Sequence, residues 1–172
     1  MTTTELKELI NSLDPKNAEY IIFNEKVQRE FRYVNYCERN GSPNLESAID
    51  CLKEAIKEFD SRYLTPANVK VGDGATVNYW SDRHAGTIVK VTKCSITIQR
   101  DKAILSPDFK PEFIPGGFAA HCINQDEQSY TYERNPEGER TTLRWSKVYN
   151  QYGQPGDLTA SKGRHEYYDY NF

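Results

Sequence analysis

The sequence predicts an α+β protein: an N-terminal helical module of two to three helices over residues 1–65, then a mostly antiparallel small β-barrel or bent sheet over residues 66–172. Three observations carry this. Apolar residues recur at helical spacing through the first third of the chain. That spacing stops at "YLTPANVKVGDGA" (63–75), where Pro66, Gly72 and Gly74 appear. Beyond it, short β-branched stretches alternate with frequent turns.

The helical elements follow in order. Leu6, Leu9, Ile10 and Leu13 lie at i, i+3, i+4 and i+7, with Thr4 as N-cap. Asp14-Pro15 restarts a helix, because Asp caps and Pro fits a first helical turn. This second helix carries Ala18, Ile22, Val27, Phe31 and Val34 to about Arg39, and Asn40-Gly41 ends it. Ser42-Pro43 opens a third, with Leu45, Ala48, Ile49, Leu52, Ile56 and Phe59 on one stripe. Short connections favour antiparallel packing, and the same helices offer a surface for self-association.

Strands are expected around 75–80, 86–93, 95–103, 117–123, 129–134, 139–146 and 165–171. "NPEGE" (135–139) reads as a hairpin turn with its glycine at positive φ. "SPDFKPEFIPGG" (106–117) reads as an extended crossing loop.

Composition narrows the function. The chain has 172 residues, 37% hydrophobic and 27% charged, with 12 tyrosines, a pattern suited to half-buried strands rather than disorder. Net charge is −3: residues 1–65 hold 9 Lys/Arg against 12 Asp/Glu, and residues 66–172 hold 13 of each. A general attraction to nucleic acid or anionic membrane is therefore not expected. Cys37, Cys51, Cys94 and Cys122 lack C-x-x-C spacing and read as reduced, mostly buried thiols. With a polar N-terminus and no apolar run near the roughly 20 residues of a membrane span, a soluble cytoplasmic chain is expected.

"VGDGATVNYWSDRHAGTIVKV" (71–91) resembles the opening of SH3-like barrels: a Gly-Asp loop, a first strand, and a second strand beginning "GTIV". Together with "IPGGFAAHC" and the terminal "GRHEYYDYNF", residues 71–172 resemble a family of uncharacterised bacteriophage and prophage proteins. The resemblance implies a phage-borne protein acting in the host cytoplasm, including action against host defence. It carries over no activity and no site residues.

The first turn of the barrel draws attention because "WSDRH" places an indole, an acid, a guanidinium and an imidazole within five residues. Alternation puts Val77 and Tyr79 inward, and Thr76, Asn78 and Trp80 outward. One reading buries Trp80 and His84 against the helices, with Asp82 accepting backbone bonds in the turn. The other makes Trp80, Asp82, Arg83 and His84 a recognition corner. Arg164 and His165 join it if the last strand, with Glu166, Tyr168, Tyr170 and Phe172 on one face, closes beside the first; His121 is the remaining candidate.

Catalytic constellations are weak. His84, His121 and His165 have no metal-ligand spacing, and His121 and Cys122 point to opposite strand faces. Asp101-Lys102 and Asp108-Phe109-Lys110 approximate the D-x-K of metal-dependent nucleases, but Pro107 and Pro111 bracket the second. "VGDGA" lacks the Lys-Ser/Thr of a phosphate loop, no G-x-S-x-G occurs, and Cys94 and Cys122 lack activating neighbours. No catalytic residue, metal or cofactor is assigned. The expectation is a non-enzymatic binder that sequesters or blocks a host protein or small nucleotide, as anti-CRISPR proteins and nucleotide sponges do. The first alternative is a nucleic-acid module with a replication or regulatory role, using Trp80, Arg83, Arg100, Lys102, Arg144, Trp145 and Arg164 on single strands. The second is a divalent-metal-dependent hydrolase or nuclease.

Overall fold

The computed structural model describes residues 1–116 and 120–171. The chain divides into two compact units, Met1–Asn68 and the chain from Val69 onward.

The first unit is helical. Helix α1 (Thr3–Leu13) is capped by Thr2, not Thr4: Thr2 accepts from the Glu5 N–H while the Glu5 carboxylate takes the Thr2 N–H. That reciprocal pair fixes the start two residues early. The helix expected from Asp14 to Arg39 is broken into α2 (Ala18–Ile21) and α3 (Glu25–Arg39). The break has a local cause. Asn24 is extended and its side chain accepts from the Val27 N–H, so it caps a new helix where the old one would have continued. Helix α4 spans Leu45–Arg62. Leu6, Ile10, Ile21, Val27, Val34, Leu52, Ile56 and Phe59 form the core. The unit extends to Asn68 because a buried polar knot holds its end. Thr65 donates to the Asn17 side chain at 2.7 Å, and the Asn68 amide donates to Asp60 at 3.0 Å.

The second unit is a six-stranded, mostly antiparallel, nearly closed sheet. Its strands are β1 (Gly74–Asn78), β2 (Arg83–Val91), β3 (Ser95–Arg100), β8 (Arg140–Ser146), β9 (Gln151–Tyr152) and β10 (Thr159–Lys162). They are ordered β10-β1-β2-β3-β8-β9, and a bridge between Gly153 and Thr159 brings the two ends together. The meander β1-β2-β3 is extended by β8 and β9, and the short β10 returns beside β1 to give the sheet its barrel-like form. Register places Ala75, Val77, Ile88, Ile96, Ile98 and Leu143 on one face, and all are buried. Tyr152 fills the far end, edge-on to Trp145 with centroids 5.1 Å apart.

Between β3 and β8 the described residues form two separate ribbons. β4 (Lys102–Leu105) pairs with β7 (Tyr130–Glu133), and β5 (Phe113–Ile114) pairs with β6 (His121–Cys122). A 3-10 turn at Gln125–Glu127 separates them. The extended crossing loop expected over 106–117 is therefore interrupted by β5; residues 117–119 of the strand expected over 117–123 lie outside the described residues.

Three further expectations are corrected. "NPEGE" does not join two strands of one sheet, since β7 and β8 belong to different sheets. Gly138 is not at positive φ; a side chain there is excluded because a Cβ would stand 2.0 Å from the Arg100 carbonyl oxygen. The stretch 165–171 is not a strand. The barrel is closed instead by β10, "TASK", while residues 164–171 form a tail held almost wholly by side chains. Finally, two of the four free thiols, Cys51 and Cys94, are exposed; Cys37 and Cys122 are buried.

Candidate recognition site

The turn leaving β1 is closed by the Tyr79 N–H donating to the Asp82 carbonyl at 2.9 Å. The tail then fixes it from the other side. The Asp169 N–H donates to Asp82 Oδ1 at 2.9 Å, and Arg83 and Tyr167 exchange both backbone hydrogen bonds at 3.0 Å. The Arg83 guanidinium stands 5.5 Å from the centre of the Tyr167 ring, a cation–π distance. On this buttressed turn Trp80 is 83% exposed. Of the two readings of this turn, the one that buries the indole is set aside: Trp80 faces solvent, on the outward side that alternation gave it, from a backbone pinned on both flanks. Tyr79 keeps to the Val77 side, lining a small cavity with Val77, His84 and Ile98. It lies beyond the end of β1, partly exposed, edge-on to His84 at 4.7 Å.

Beside the turn, one carboxylate gathers three donors. Glu166 accepts from His84 Nδ1 at 3.1 Å, the Ala85 N–H at 2.7 Å and Arg100 Nη2 at 3.1 Å, while the Tyr132 hydroxyl accepts from its N–H at 3.0 Å. Burial alone would push the Glu166 carboxyl up. The hydrogen bonds from His84 and Ala85, with the charges of His84 and Arg100, outweigh it and hold the carboxyl below its ordinary value. The sign of the linkage follows. A depressed carboxyl contributes stability fully above its unfolded value near 4.5 and loses it as pH falls through the lowered one. We expect the Tyr167 amide to lose hydrogen-exchange protection as pH drops below that value, and Glu166→Gln to remove the dependence. Protection that stays flat through the same titration would separate the carboxylate from tail docking.

Arg164 goes elsewhere. Its Nε donates to Asp101 Oδ2 at 2.7 Å and its Nη2 to Thr87 Oγ1 at 2.7 Å, while Thr87 itself donates to Asp101 Oδ2 at 2.7 Å. The Asp101 side chain is 1% exposed, with Arg134 Nε at 3.8 Å from Oδ1. Asp101 is therefore a structural ion-pair partner, not a solvent-facing metal ligand. Asp108 and Lys110 line a separate open cleft with Ser106, Phe109 and Asn124. Among the described residues, no group of three or more His, Cys, Asp or Glu is placed to hold a metal.

The remaining candidates disperse. His165 is exposed; its N–H donates to Thr76 Oγ1 at 2.9 Å, which explains why Thr76, on the outward face of β1, is nonetheless buried. His121 is exposed on β6, where the next residue, Cys122, exchanges hydrogen bonds with the Asn171 side chain. Asp82, Arg83 and His84 thus meet the tail directly, whereas Arg164, His165 and His121 serve other places. Sequence reasoning gave Glu166 and Tyr167 no role in the site: they lie 81 to 84 positions from Arg83, His84 and Ala85, and no local pattern marks them.

The chain matches no protein-family model, no curated protein and no solved structure. Among the described residues, no helix is long and apolar enough to cross a membrane.

Proposed function

We propose that this chain is a non-enzymatic binding protein of phage type, which sequesters or blocks a host protein through the turn at residues 79–84. The observation supporting this reading is the exposed Trp80 indole on a turn fixed at Asp82 and Arg83. A rigid aromatic anchor loses little conformational freedom on binding, and Trp, Tyr and Arg dominate the energetics of protein interfaces. Arg83 and the exposed Tyr168 add the residue types that accompany such anchors. A protein partner is favoured over a nucleic-acid strand because residues 66–172 carry 13 positive and 13 negative side chains, which leaves no net attraction for phosphate. The phage setting rests on the resemblance of residues 71–172.

Capture from host lysate, run in parallel with full-length chain and its Trp80→Ala variant, tests this. A host protein retained by the first is expected to bind the variant at least about 30-fold more weakly, the effect of losing about 2 kcal/mol at an anchor. Thermal stability should move by no more than about 0.5 kcal/mol, as for an exposed position. Equal retention by both, or no host protein retained by either, would remove the proposal.

A further inference from the structure

The helical unit has a cleft of its own, distinct from the Trp80 turn. It measures about 630 Å³ and lies where the α2–α3 corner and the first half of α3 meet the residue following α4. That volume is within the range of about 300–1,000 Å³ typical of small-molecule sites.

Its lining combines two aromatic rings with three cations. Phe23 is 70% exposed at the corner just before the Asn24 cap, and Tyr63 is 40% exposed. The Tyr63 ring is held by stacking on Phe59, with centroids 4.9 Å apart and planes within 19°. Lys26, Arg29 and Arg32 follow one another along one side of α3, at spacings of three. Glu25 is the single carboxylate in the lining. Two of the cations have acidic neighbours: Lys26 bonds Glu58 at 2.9 Å and Arg29 bonds Glu30 at 2.9 Å. Arg32 has no ion pair among the described residues.

This concentration of positive charge is local, because residues 1–65 as a whole carry 12 acidic against 9 basic side chains. A polyanion that left the cleft would run over acidic surface. A compact anion would not. Aromatic faces stack on nucleobases, and guanidinium forks match phosphate oxygens. We propose that this cleft binds a nucleoside phosphate, with the base against Phe23 or Tyr63 and the phosphates on Arg29 and Arg32.

The site is independent of the Trp80 turn, so the two readings fail separately. Full-length chain is titrated with ADP, with inorganic phosphate and with a short single-stranded oligonucleotide, following amide shifts and calorimetric heat. Saturable ADP binding is expected, with shifts at Phe23, Arg29, Arg32 and Tyr63. Arg32→Ala and Phe23→Ala should each weaken it at least tenfold; both side chains are exposed, so the fold is retained. Trp80→Ala should leave it unchanged. No saturation by about 1 mM ADP overturns the proposal. So does inorganic phosphate binding as tightly as ADP, which would mean an anion patch only. Unchanged ADP affinity in Arg32→Ala, or tighter binding of the oligonucleotide than of ADP, also overturns it.

Discussion

Arg164→Ala is expected to destabilise the barrel by about 3 kcal/mol, at the lower end of what breaking a buried ion pair costs. The reason lies in the asymmetry of the pair. Arg164 is partly exposed and recovers solvation if freed, but Asp101 is 1% exposed and cannot. Removing the guanidinium strips Oδ2 of its 2.7 Å charged donor and Thr87 of its second partner. What remains is the Thr87 hydroxyl and Arg134 at 3.8 Å from the other oxygen, too far for a hydrogen bond. For a unit of this size the loss corresponds to a fall in Tm of about 12 °C or more. Urea unfolding followed by Trp fluorescence measures it, since both tryptophans lie in this unit. Replacing both partners, Asp101→Asn with Arg164→Leu, should recover much of the loss because no charge is then left stranded. A change below about 1 kcal/mol in Arg164→Ala would show that the pair is not effectively buried.

Gly153→Ala is expected to be the most damaging single methyl addition in the barrel. Gly153 adopts φ 88°, where an L side chain is strained, and its Cβ would stand 1.9 Å from the Leu158 carbonyl oxygen. The strain costs about 1–3 kcal/mol and the overlap about as much again, so a total on the order of 4 kcal/mol follows. No side chain can swing aside, because the obstruction is backbone. The contact sits where Gly153 bridges Thr159, so relief requires opening the seam between β9 and β10. Hydrogen exchange should therefore show loss of protection at Gly153 and Gln154 before β2 and β3 respond. Wild-type protection at those amides would contradict the account.

The helices and the central meander were legible because their signals are local. Leu6 and Ile10 are buried and Leu9 half-buried, as a 3.6 period requires. The break at Asn24 also had a local cause, a capping residue amid helix formers, but apolar spacing continuing across it hid the interruption. β9 and β10 were illegible for a different reason. Gln151-Tyr152 and "TASK" show neither alternation nor β-branched runs, and become strands only because β8 and β1 offer edges. Conversely, the tail alternates aromatic with polar residues yet forms no ladder beyond Arg83–Tyr167. Side chains of Gln125 and Gln128 take the Tyr170 and Tyr168 N–H groups instead. The candidate site divides the same way. Trp80, Asp82, Arg83 and His84 are neighbours in sequence and could be read together. Glu166 joins them only through the fold.

The pairing of β1 with β10 also governs how the nascent chain is exposed during synthesis. Val77 has its partner, Ala160, 83 positions later, an interval of roughly ten seconds at about 5–20 residues per second. Throughout that interval one margin of β1 presents bare amides and carbonyls to whatever lies nearby on the polysome. Cooler, sparser expression should therefore raise the yield of dispersed product, and truncation before Thr159 should send the chain into inclusion bodies.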